Sequence, residues 1–256
     1  MKYLITLPWM PYPATDGGKQ GSFNMLMELQ NMIDITLIYP VFFKKQMACQ
    51  YLLEKQLPKV KVYPFEYYKN KDGIKSQYSL FRLHRIITRK FLKQPYLATP
   101  IYKDAYIDFV NEIIKKDRID IVQNEYFEQL YMVYAIPNTV KKVFIQHEIQ
   151  YIAKERLFQQ REYPSSVRYL ATMQRIQEIN ALNEYDQVIT MTDIDKNILM
   201  CDGVRAPISA SPSFIPFFIP FSMPSSSAEC IPLFQSLSHF SLKKAILFTA
   251  SSPLKY

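Results

Sequence analysis

The chain has 256 residues, is 48% apolar and 21% charged, and carries a formal net charge of +8. That composition can bury a sizeable core and argues against intrinsic disorder. Its longest mostly apolar run, 214–223, is broken by Pro216 and Pro220 and falls far short of the roughly 20 residues that a membrane-spanning helix needs.

Residues 2–9 read as a buried strand bounded by Pro8, Pro11 and Pro13. Residues 18–32 follow as a helix, with Phe23, Leu26, Met27 and Ile33 at helical spacing. A β-branched run at 34–41 is a second strand, 44–56 is helical, and 59–65 alternates like a third strand. Residues 99–116 are a helix and 119–125 a strand rich in Ile and Val. A strand at 142–147 precedes a long helical stretch interrupted at Pro164-Ser165-Ser166. A strand at 187–192 leads into a short helix, where Thr192 and Asp195 form a capping pair. Strands alternating with helices of this length predict an α/β fold, a doubly wound parallel sheet. Six prolines in 207–232 and the run Ser225-Ser226-Ser227 mark a linker, after which 244–250 reads as one fresh buried strand. The expected organisation is a domain over 1–206, a linker or crossing segment over 207–242, and the first strand of an incomplete second domain over 243–256.

Three widely spaced cysteines (Cys49, Cys201, Cys230) and three scattered histidines (His84, His147, His239) lack disulfide-scaffold or metal-ligand spacing. Reduced thiols are expected, with no metal and no cofactor. The first residues run straight into a strand without a small-residue cleavage site, which gives a cytoplasmic expectation.

The charge is uneven. Residues 1–100 hold 15 Lys/Arg against 6 Asp/Glu, and 69–93 alone hold eight basic residues against Asp72. Within 76–94, Leu80, Leu83, Ile87 and Phe91 share one helical face, with Arg82, Arg85, Arg89 and Lys93 mostly on others. Such a stripe suits an anionic membrane surface, or it is a solvated face over a core-facing helix. No nucleic-acid-binding fold accompanies the charge, so nucleic acid is not an expected partner.

Glycine is scarce, five in all, and three lie at Gly17, Gly18 and Gly21. A glycine pair between a first strand and first helix lets backbone approach a ligand, and the helix N-terminus favours anions. The loop matches neither the phosphate-loop nor the dinucleotide fingerprint, and a tight turn feeding a helix would use the same residues. His147 and Glu148 close one predicted strand and Glu125 closes another. Both are ligand-binding candidates, although strand-end residues are also commonly structural.

Together, PYPATDGGKQGSFNMLMEL with DITLIYP, then VFIQHEIQYIAKER, LNEYDQVITMTDIDKNIL, and ISASPSFIP leading to KKAILFTAS resemble the N-terminal half of bacterial family 4 glycosyltransferases with the GT-B fold. The resemblance implies transfer of a sugar from a nucleotide-sugar donor to a glycan or lipid-linked acceptor in surface-glycan synthesis, by a retaining enzyme. It implies a donor- and acceptor-binding site at Gly17 and Gly18, with His147 contacting the sugar as the catalytic candidate, and more loosely Glu125 and Thr192 on the cleft rim; Glu148, next to His147, stands with the binding candidates. It also implies a donor-binding second domain that this sequence essentially lacks. The expectation is therefore a truncated chain, inactive by itself and peripheral to the inner face of a membrane. The rival expectation is a non-catalytic acceptor- or membrane-binding module or an inert remnant.

Overall fold

A computed structural model describes residues 1–69, 104–160 and 165–210. Seven strands form one sheet: β1 (Lys2–Thr6), β2 (Asp34–Val41), β3 (Val60–Glu66), β4 (Ile121–Glu125), β5 (Lys141–Gln146), β6 (Gln187–Thr190) and β7 (Ile208–Ala210). All neighbours are parallel, in the order β3-β2-β1-β4-β5-β6-β7. The α-helices are α1 (Gly17–Leu29), α2 (Gln50–Gln56), α3 (Asp104–Asp117), α4 (Gln150–Gln160), α5 (Ser165–Asn183) and α6 (Asp193–Cys201). Short 3-10 turns cover Lys44–Cys49, Tyr67–Lys69 and Phe127–Tyr134. The doubly wound, Rossmann-like sheet expected from the sequence is therefore present.

The strands are apolar almost throughout because both faces of a parallel sheet are covered. Their period-2 alternation divides them between two cores. Tyr3, Ile5, Ile35, Leu37, Tyr39, Val143 and Ile145 pack with Met25, Leu26 and Leu29 of α1. Leu4, Ile38 and Val122 point the other way, onto Tyr106, Val110, Ile113 and Ile114 of α3. Phe144 and Val188 meet Ala181 and Leu182 of α5 on that same side. In α1 the fully buried stripe is Met25, Leu26 and Leu29, while Phe23 and Met27 are only partly covered, as is Ile33 beyond the end of the helix. The helix is rotated slightly from the face the sequence suggests, because Gly21 and Ser22 are turned inward and packed closely.

Chain order runs outward from β1 to β3, then returns to β1's other side and continues from β4 to β7. The direction reverses between β1 and β4. In open α/β sheets the carboxyl ends of the strands at such a reversal leave a crevice, where ligands bind. Residues 208–210 pair with β6, so the sheet continues past residue 206 into the span where a linker is expected. The basic stripe with Arg82, Arg85, Arg89 and Lys93, and the apolar run 244–250, lie outside the described residues.

Candidate functional site

The crevice is built from four chain segments. The β1–α1 loop brings Trp9 and Asp16, and α1 brings Gly18 and Ser22. The end of β4 brings Glu125 and Tyr126, and the end of β5 brings His147. Asp16 is the N-cap of α1. Its carboxylate accepts from the Lys19 backbone N–H at 2.9 Å and lies 3.1 Å from Lys19 Nζ. Partial burial raises its pKa, but the hydrogen bonds and charge of Lys19 outweigh that and hold the carboxyl below its ordinary range.

Glu125 is fully buried, and its oxygens are spoken for by neighbours. Gln123 Nε2 donates to Oε1 at 2.6 Å, and His147 Nε2 lies 3.1 Å from Oε2. Ser22 Oγ donates to the same Oε2 at 3.4 Å. A carboxylate facing Nε2 makes that nitrogen the N–H donor and fixes the plane of the imidazole. The other ring nitrogen, Nδ1, is buried and has no hydrogen-bond partner among the described residues.

Tyr126 ties the cluster together. Its ring stacks on His147, centroids 4.0 Å apart and planes 4° from parallel, and packs at 4.6 Å on Trp9. Its hydroxyl donates to the Gly18 carbonyl at 2.7 Å and lies 3.0 Å from Ser22 Oγ. The backbone of Tyr126 has φ +65° and ψ 154°, a conformation that bulky residues rarely adopt and that costs about 1–3 kcal/mol. Its contacts with His147, Trp9, Gly18 and Ser22 hold it there. Trp9 Nε1, on the other ring packed against Tyr126, is also buried with no partner among the described residues. The two rings packed on Tyr126 thus each carry a buried nitrogen without a hydrogen-bond partner among the described residues.

The sequence candidates divide into two groups. Gly18, Glu125 and His147 come together. Gly17 is exposed in the first turn of α1. A Cβ at Gly18 would sit 3.3 Å from the Tyr126 hydroxyl and 3.5 Å from both Trp9 and Asp16, so packing within the protein already explains that glycine. Glu148 is exposed, and its carboxylate accepts from Gln150 Nε2 at 2.9 Å rather than joining the cluster. Thr192 lies at the β6 end, where its hydroxyl caps α6 by accepting from the Asp195 N–H at 3.0 Å. Sequence reasoning missed Trp9, Ser22, Gln123 and Tyr126. The legible signal was the chain's single tryptophan at the end of a predicted strand; the others depend on contacts between distant segments.

A second polar centre adjoins the first along β5. Gln146 closes β5 one residue before His147, and its Nε2 donates to Glu178 Oε1 at 2.9 Å. Glu178, on α5, also accepts the first backbone N–H groups of α4, from Gln150 at 3.2 Å and Tyr151 at 3.3 Å. Burial pushes its pKa up to about 7, against the opposing pull of those donors and Lys154. Among the described residues no group of three or more His, Cys, Asp or Glu could hold a metal ion, and no helix is long and apolar enough to cross a membrane.

No protein-family model matches the chain, and no curated protein matches it. Among solved structures the chain is similar to Phytolacca americana UGT2 complexed with UDP-2fluoro-glucose and pterostilbene, at 9% sequence identity and a TM-score of 0.47. That likeness covers 81% of this chain, which spans about half (52%) of the length of the plant protein.

Proposed function

We propose that this chain is the acceptor-side domain of a glycosyltransferase of the GT-B kind, working on a nucleotide-sugar donor and a glycan or lipid-linked acceptor. The observation that carries the reading is the crevice at the β1/β4 reversal. There a buried Glu125–His147 pair sits beside a glycine-led helix N-terminus, with Trp9 Nε1 and His147 Nδ1 both without a hydrogen-bond partner among the described residues. The sequence resemblance to family 4 glycosyltransferases supplies the reaction class, and places the retaining chemistry and surface-glycan acceptor within the same proposal.

Each group has a task in this reading. The N–H groups of α1 near Gly17 and Gly18 offer partial positive charge to an anionic group of the ligand. Glu125 holds the His147 ring with Nε2 toward itself, leaving Nδ1 to bond a sugar hydroxyl. Tyr126 keeps the imidazole plane fixed, so little ordering is left for the moment of binding. Glu148 and Thr192 belong to the rim. A second, donor-binding domain would provide the cations that stabilise the departing nucleoside diphosphate, and no metal is invoked.

Backbone amide NMR tests the reading, with UDP-glucose, UDP-N-acetylglucosamine and GDP-mannose titrated singly and together with an undecaprenyl-phosphate-linked acceptor. Shifts are expected at Gly17, Gly18, Tyr126 and His147. His147→Ala should weaken binding about tenfold, the worth of one hydrogen bond to a polar ligand. Shifts that map elsewhere, or none with any donor or acceptor, would overturn the assignment.

A further inference from the structure

A line of buried polar side chains leads from β1 to His147. Tyr3 lies on β1, and Gln123 and Glu125 stand two residues apart on β4, so that strand presents both on one face. All three are buried, Gln123 to 2% exposure. Tyr3 Oη donates to Gln123 Oε1 at 2.8 Å, and Gln123 Nε2 donates to Glu125 Oε1 at 2.6 Å. His147 Nε2 faces the other carboxylate oxygen at 3.1 Å.

The direction of this line is fixed at its buried end. Burial, with a smaller contribution from the Glu125 charge, raises the Tyr3 pKa well above its ordinary value, so the hydroxyl keeps its proton and can donate. Turning the Gln123 amide over would press its carbonyl oxygen against the carboxylate of Glu125. It would also take the N–H from Met25 Sδ, a weak acceptor 3.6 Å from Nε2. Gln123 therefore directs its donor to Glu125 Oε1. An ionised carboxylate only accepts, so the proton between Oε2 and the imidazole belongs to His147 Nε2. Nδ1, buried and without a hydrogen-bond partner among the described residues, is then a lone-pair acceptor in the neutral ring.

We propose that Tyr3 and Gln123 are positioning residues that set the polarity of the His147 ring. Nδ1 therefore selects a ligand group that donates a hydrogen bond, a hydroxyl or an N–H, over a phosphate or carboxylate oxygen. Tyr3 and Gln123 act through Glu125 rather than by touching the ligand. The consequence for the ligand rests on the proposed reading of His147 as a sugar contact, whereas the tautomer is a property of the free protein.

Ring 15N NMR of the full chain at about pH 8, above the ordinary imidazole range, tests the polarity without any ligand. The chain has three histidines, and the resonances lost in His147→Gln identify this ring. Nε2 is expected to be pyrrole-like and Nδ1 pyridine-like. Glu125→Gln should invert that pattern. Gln123 still requires an acceptor at the Oε1 position, so the new amide turns its NH2 group to His147 Nε2 and the ring proton moves to Nδ1. The tautomer ratio should change about tenfold or more, the worth of one hydrogen bond. Adding Gln123→Met frees the new amide to turn, and the ratio should return toward an even mixture; adding Tyr3→Phe instead should do so in part. A wild-type ring with its proton on Nδ1 would overturn the proposal whatever the variants do. So would a Glu125→Gln ring that keeps its proton on Nε2, or an inversion that survives Gln123→Met. UDP-glucose, UDP-N-acetylglucosamine or GDP-mannose should shift the wild-type Nδ1 resonance, and inorganic phosphate should not; an equal shift with phosphate would overturn the selection. An Nδ1 unmoved by every sugar nucleotide and by the lipid-linked acceptor, with the tautomers as expected, would count against the proposed reaction and leave the roles of Tyr3 and Gln123 supported.

Discussion

Glu178 shows how one buried side chain sets a pH response. Its carboxylate is removed from water and left with hydrogen bonds from the α4 N-terminus and Gln146, and burial wins, raising its pKa from 4.5 to about 7. The folded protein therefore holds a proton that the unfolded chain releases between about pH 4.5 and 7, and stability falls as pH rises through that window. The loss amounts to about 3 kcal/mol and is complete above about pH 7. Urea unfolding at about pH 5 and pH 8 should reveal it, and Glu178→Gln should remove most of the difference. An unaltered slope in that variant would assign the pH response to another group. Nothing in the local sequence marks Glu178, since a glutamate on a predicted helix is ordinarily exposed. His147 and Glu125 were legible as strand ends, but their 3.1 Å contact depends on neighbouring strands delivering them together.

At the scale of elements, α6 begins where Thr192 accepts from the Asp195 N–H, with Asp193 and Asp195 in the first turn. Cap and acids both complement the unpaired donors and positive end of the helix. Thr192→Ala should cost about 1 kcal/mol, which lowers the melting temperature by about 2–4 °C in a domain of this size. Thr192→Ser should restore most of it. A larger loss from the alanine variant, unrepaired by serine, would show that the methyl group rather than the hydroxyl matters. The cap was readable because it is local, three residues from donor to acceptor. The 3-10 turn Phe127–Tyr134 was not, because it exists to carry the chain around the positive-φ Tyr126 and bury Leu130, Met132 and Val133.

For the whole molecule, the sheet between two layers of helices is the structural unit, and Phe144 lies on β5 in its interior. Phe144 is fully buried, its ring 5.1 Å from that of Tyr185. Phe144→Ala should destabilise the domain by about 3–5 kcal/mol, measurable by urea unfolding. A cost below about 1 kcal/mol would mean that the surrounding helices collapse into the gap. The strand order does more than bury such residues. It places the first and fourth strands side by side, and only that adjacency brings the β1–α1 loop to the ends of β4 and β5.

The sequence by itself determined the strands and helices, the parallel doubly wound class, the glycine-led start of α1 and the cap of α6. Each is written in periodicities or in residues three or four apart, where propensity and local hydrogen bonding decide. Only the tertiary structure decided that Tyr126 joins Gly18 to His147, that Glu148 turns to solvent while Glu125 is buried, and that Glu178 caps a helix other than its own. Those outcomes join residues up to 108 positions apart. They are fixed by strand order and by which side chains must be desolvated together, and neither is encoded within a short stretch of chain.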